Sequence, residues 1–205
     1  MLLSTSSRLN STIFSRVILA VLLISALTTG CASFGTRGEI PFGTWSGEGV
    51  VVSERWKQDD DDSESESISR RYPTTLTIQP IVLEGHDVIE MEIHSYHSDM
   101  PSTDDVHIKA ALVKAKRVSD STVLYRLVDL KFNPTPENEL DFKEDGPPYA
   151  ASCTSNDGTT VFQIVYRKDF VDAFRFRGRR LEKMGAYFDP KEHLVHWYED
   201  LIKQD

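Results

Sequence analysis

The stretch "DVIEMEIHSYH", residues 87–97, sets Ile89, Met91 and Ile93 in alternation with Glu90, Glu92 and His94. Successive side chains of an extended chain point to opposite faces, so a period of two marks a strand with one apolar and one wet face. The same pattern continues on both sides. "TTLTIQPIVL" (74–83) precedes it across Glu84-Gly85, a tight hairpin signal. "VHIKAALVKAKRV" (106–118) and "STVLYRLVDLKF" (121–132) meet at Ser119-Asp120, and "PYAASCTS" (148–155) and "TTVFQIVYR" (159–167) flank Asn156-Asp157-Gly158. With "TWSGEGVVVSERW" (44–56) and "FVDAFRFRG" (170–178) the reading gives about eight strands, nearly all joined locally.

Two segments interrupt this meander. "QDDDDSESESISRR" (58–71) contains an acidic run, 59–66, that repels itself and has little apolar area to bury. It lacks the Gly and the spaced terminal Glu of a calcium loop, and reads as solvated. "NPTPENELDFKEDGPP" (133–148) reads as a polar loop. At the C-terminal end, Asp189, Pro190 and Glu192 have the order of a helix cap, followed by Leu194, Trp197, Tyr198, Leu201 and Ile202 at helical spacing. The expectation there is an amphipathic helix packed on the sheet.

A meander of half-polar strands must hide one face and protect its edges, and closing into an antiparallel up-and-down β-barrel does both. The competing architecture is a two-sheet sandwich. "GTWSGEG" (43–49) resembles the Gly-x-Trp opening of the calycin barrels, which include lipocalins and fatty-acid-binding proteins; its longer Gly-x-Trp-x-Gly-x-Gly form is similar to that of nitrobindins, barrels that hold a haem. The resemblance implies that Trp45 lies across the closed end of the barrel against an arginine of a late strand, Arg175 or Arg177. A barrel of this size holds one small ligand or is filled by its own side chains. Ile89, Met91, Ile93 and Phe162 are the expected lining of a cavity.

The N-terminal segment has a different character. Residues 1–30 carry Arg8 and Arg16 and no acidic residue, then an apolar run from Val17 to Leu27 ending in Thr28-Thr29-Gly30. That is the order of a secretory signal, and the run is shorter than the roughly 20 residues a membrane-spanning helix needs. Leu27-Thr28-Thr29-Gly30-Cys31 resembles a bacterial lipobox, with Thr28 where the family prefers Leu. The resemblance implies cleavage before Cys31, a diacylglyceryl thioether on its sulfur, and attachment to the cell envelope. Ala32, in place of an inner-membrane retention Asp, points to the outer membrane. The plainer readings are a signal cut elsewhere, with Cys31 free or bridged to Cys153, or a short N-terminal anchor. Residues 31–42 would be a tether of no more than about 40 Å, and 43–205 the barrel domain.

The formal charge of −9, more negative still without Arg8 and Arg16, argues against nucleic acid as partner. If Cys31 is acylated, Cys153 is left as a solitary thiol. His94 and His97, on or beside a strand, should not share a face. His193 and His196 would share a helix face, but such pairs are common on exposed helices, and no metal site is assigned. No residue stands out as a haem ligand, so no cofactor is expected. Neither a nucleophile elbow nor an activated cysteine is visible. Arg175, Arg177, Arg179, Arg180 and Lys183 read as the basic wet face of a final strand. The function expected is therefore that of a lipid-anchored envelope protein, not an enzyme. It would bind a small apolar ligand, or, with a filled barrel, an envelope protein partner.

Overall fold

The computed structural model describes residues 38–55, 66–96, 105–143, 148–167, 169–189 and 193–205. Residues 1–30, read above as a signal, Cys31 and most of the acidic run lie outside the described residues. Inside them the alternation forms ten strands: β1 (Gly43–Arg55), β2 (Glu66–Leu83), β3 (His86–Ser95), β4 (Val106–Ser119), β5 (Thr122–Phe132), β6 (Ala150–Thr154), β7 (Thr160–Arg167), β8 (Phe170–Arg177), β9 (Arg180–Asp189) and β10 (His193–Lys203). Each pairs antiparallel with its neighbour in sequence, and β10 returns to β1, so the sheet is a closed barrel with no free edge.

Two expectations are corrected here. The barrel has ten strands and not eight, and the expected C-terminal helix is strand β10, paired with β1 and β9. Val195, Trp197, Glu199 and Leu201 point inward, while Tyr198 and Ile202 are exposed on the outer wall. Helical spacing selected residues from both faces of this strand. The buried carboxylate at Glu199 had broken the apolar alternation that identifies a strand.

The two ends of the barrel differ. At one end Gly43, the β8–β9 turn, Lys203 and the C-terminus come together. Here Trp45 is fully buried, with its ring edge-to-face against Phe176 at 5.3 Å between centroids. Leu76, Ile78, Met91, Leu181 and Leu201 fill the same half without exposure. The expected arginine partner of Trp45 is also corrected. Phe174 and Phe176 take the inward positions of β8, so Arg175 and Arg177 point out, and Arg175 pairs with Glu182. The cation over the Trp45 ring is Lys203 of β10, with Nζ 5.2 Å from the ring centroid.

Residues 38–42, read as tether, dock on this closed end. Ile40 joins the core, Glu39 pairs with Lys114 and Arg117, and Ser152 Oγ donates to the Gly38 carbonyl. Outside the barrel, Val88, Ala111, Val128 and Leu140 form a second small cluster, with Phe142 packed against it. Asp141 N and Lys143 Nζ donate to the buried Asp129 carboxylate and hold this part of the 133–143 segment down.

Candidate ligand-binding site

The other half of the interior is hollow. A cavity of about 330 Å³ opens at the end opposite the described chain termini. Its walls are apolar and aromatic: Val51, Ile93, Ile108, Phe132, Phe170, Tyr187, Val195 and Trp197. Diameter grows with strand number, so ten strands enclose more space than eight. Of the four expected lining residues, Ile93 lines the cavity. Ile89, Met91 and Phe162 belong instead to the packed closed half. The rim carries Arg167, whose guanidinium lies over the Phe132 ring at 4.9 Å.

The floor is polar. Glu199 of β10, Lys183 of β9 and Asp172 of β8 are 1 %, 3 % and 1 % exposed, far below what charged side chains ordinarily show. Lys183 Nζ donates to Glu199 Oε1 at 2.8 Å and stands 4.0 Å from Asp172 Oδ2. Tyr72 Oη donates to the same Glu199 oxygen at 2.9 Å, and Trp197 Nε1 donates to Asp172 Oδ1 at 2.9 Å. The register explains the convergence: Lys183 faces Glu199 across β9–β10, and Asp172 faces Gly185, which in turn faces Trp197. Five neighbouring positions on three strands thereby meet in one layer.

Burial of ions without complete pairing is costly, so this cluster strains the fold as much as it supports it. Glu199 Oε2 has no hydrogen-bond partner among the described residues, and Asp172 Oδ2 has only the Tyr166 hydroxyl beside it, outside good hydrogen-bond geometry, and the Lys183 ammonium at 4.0 Å. Burial lifts the Asp172 carboxyl to about 6; the nearby Glu199 charge adds to that rise, and the Lys183 ammonium opposes it. Burial and the two carboxylates push the Tyr72 and Tyr166 hydroxyls above the ordinary phenol range. Lys183 is raised despite the burial that opposes its charge, because Asp172 and Glu199 both face it. The floor is thus one ammonium between two carboxylates, with the phenols neutral.

None of Tyr72, Tyr166, Asp172, Lys183, Trp197 and Glu199 was singled out from the sequence as a site residue. One signal was present: glycines inside strands mark close approach of another group. A Cβ on Gly49 would stand 2.5 Å from the Tyr72 ring, and one on Gly185 would stand 2.2 Å from Asp172 Oδ1. Of the histidines, His94 stacks on His107 at 4.6 Å and accepts or donates at Tyr96 Oη, away from the cavity. His97 lies outside the described residues.

Cys153 of β6 is disulfide-bonded and is not the solitary thiol expected if Cys31 were acylated. The only other cysteine in the sequence is Cys31. Cys153 adjoins Ser152, which binds the Gly38 carbonyl, so the chain enters the described structure beside it.

No protein-family model matches the chain, and no curated protein matches it in sequence. Among solved structures it is similar to an S-type phycobiliprotein lyase from Guillardia theta, at 10 % identity and a TM-score of 0.43, over 82 % of this chain and 96 % of that one. That barrel is a lyase, and the expectation that this protein is not an enzyme is not upheld. What is established is a closed antiparallel barrel, the form implied by the calycin resemblance.

Proposed function

We propose that this protein takes up a small, largely apolar molecule through the open end of the barrel and seats a polar group of it on the Asp172–Lys183–Glu199 floor. The observation that carries this reading is the cavity itself. Its volume of about 330 Å³ is in the range of small-molecule sites, and apolar walls with a few convergent polar groups are the usual composition of such sites. A barrel built only for structure gains nothing from a hollow half lined by apolar and aromatic side chains above a buried charged floor. The test is titration with N-phenyl-1-naphthylamine, an uncharged fluorophore that brightens in apolar surroundings. Saturable one-to-one uptake by the wild type, abolished in Val51→Trp with the fold intact, supports the reading. Absence of uptake, or equal uptake by both proteins, removes it.

Export to the cell envelope is part of the same proposal, supported by the charge and hydropathy order of residues 1–30. A disulfide at Cys153 agrees with an oxidising compartment. With Cys31 as the partner in that bond, anchorage through its sulfur would compete, because a sulfur in a disulfide carries no thioether. Lipid-precursor labelling lost in Cys31→Ser assigns the sulfur to the anchor. A free thiol released from Cys153 by that substitution, without labelling in the wild type, assigns it to the disulfide. Since the described chain begins at the closed end, an N-terminal anchor would turn the cavity mouth away from the membrane.

A further inference from the structure

We infer that the molecule held in the cavity is a lipophilic cation, an apolar body ending in a protonated amine that descends to the Asp172–Glu199 floor. This deepens the ligand-binding reading and rests on it. Three observations on separate residues converge. First, the charges do not balance: the two carboxylates of Asp172 and Glu199 meet one ammonium, Lys183, in a layer all but closed to water. A single additional positive charge makes the floor neutral.

Second, the carboxylate acceptors of the floor are not all used. Tyr72 donates to Glu199 Oε1 and Trp197 Nε1 to Asp172 Oδ1, while Lys183 gives one of its three N–H bonds to Glu199 Oε1 and stands 4.0 Å from Asp172 Oδ2. Of the acceptors, Glu199 Oε2 has no hydrogen-bond partner among the described residues, and Asp172 Oδ2 has only the Lys183 ammonium at 4.0 Å and the Tyr166 hydroxyl beside it. An ammonium offers up to three donors and no acceptor, which complements such a set. A ligand carboxylate would meet two like charges instead.

Third, the approach to the floor runs between rings. Trp197 and Phe170 stand edge-to-face at 5.6 Å, and both line the cavity with Tyr187. Ring faces attract a desolvated cation as it leaves water. Arg167 stands at the rim with its guanidinium engaged over the Phe132 ring.

The experiment is displacement of bound N-phenyl-1-naphthylamine at pH 8, where Asp172 is ionised, by three molecules of matched size. These are 4-phenylbutylamine, 4-phenylbutanol and 4-phenylbutyric acid. The expected result is that the amine displaces the fluorophore at least tenfold more effectively than the alcohol, and the acid least of all. Asp172→Asn should erase the preference for the amine over the alcohol, read as the ratio of their displacement constants. Glu199→Gln should do the same, and serves as the second variant if Asp172→Asn melts below the assay temperature. Equal displacement by amine and alcohol, or stronger displacement by the acid, overturns the cationic assignment and leaves apolar binding standing. A preference for the amine that survives in both variants also overturns it. Failure of the fluorophore itself to bind is the separate failure of the underlying reading.

Discussion

A Cβ placed on Gly185 would stand 2.2 Å from Asp172 Oδ1 and 2.3 Å from the Trp197 ring, and neither neighbour has room to retreat. Gly185→Ala is therefore expected to break the Trp197–Asp172 hydrogen bond and to cost about 1–3 kcal/mol, as overpacking of a filled interior does. Denaturant unfolding measures the loss, and an unchanged midpoint would contradict the packing described. Lys183 acts by charge. Lys183→Met leaves two buried carboxylates without their ammonium, and breaking one side of a buried pair costs about 3–5 kcal/mol. Urea melts at pH 8 check this; a loss below about 1 kcal/mol would mean that the carboxylates are better solvated than the structure shows. Asp172 adds a pH dependence. Its carboxyl is raised in the folded state to about 6 from 3.8, so the folded form holds the proton more tightly than the unfolded chain. Its favourable contribution is complete below pH 3.8 and is lost as pH rises through about 6. The difference is about 3 kcal/mol, from roughly 1.4 kcal/mol per pKa unit. Asp172→Asn should flatten the stability profile between pH 4 and 7. An identical slope in wild type and variant would contradict the assignment.

The elements show why the sequence was legible in one part and opaque in another. Strands β3 and β7 carry apolar residues at every inward position of their buried stretches, Ile89-Met91-Ile93 and Phe162-Ile164-Tyr166, and alternation alone identifies them. The inward positions of β9 and β10 are Leu181, Lys183, Gly185, Tyr187 and Val195, Trp197, Glu199, Leu201. Lys183, Gly185 and Glu199 interrupt the apolar period, so one strand was passed over and the other read as a helix. These interruptions are the floor of the cavity. Local pattern fails where a buried position is given to a charge, and such departures gather at functional sites. Trp45 was placed at the closed end by motif resemblance, whereas its cation, Lys203, lies in the strand mistaken for a helix. Deleting residues 193–205 tests β10 directly. Without β10, β1 and β9 become open edges, and the chain should lose cooperative unfolding and aggregate. A truncated chain that keeps a sharp thermal transition would mean that the barrel closes without β10.

At the scale of the whole molecule, the barrel is filled at one end and hollow at the other, with a charged layer between. Trp45 and its neighbours seal the end where the described chain begins and finishes, while the cavity opens at the opposite end. A ligand bound only by the folded state stabilises it by mass action, about 2.7 kcal/mol at a hundredfold excess over Kd. An amine that occupies the cavity should thus raise the melting temperature in proportion to the logarithm of its concentration. The division into two halves also allows the central claim, a ligand cavity above the Asp172–Lys183–Glu199 floor, to be read from two indole groups in one spectrum. Trp197 Nε1–H lies in the floor layer and donates to Asp172, and Trp45 lies in the packed half. The most direct measurement is a ¹⁵N–¹H titration with 4-phenylbutylamine, with the indole peaks assigned through Trp45→Phe and Trp197→Phe. A saturable shift of the Trp197 peak with the Trp45 peak stationary is the result predicted. A stationary Trp197 peak at saturation, or equal movement of both, would contradict it.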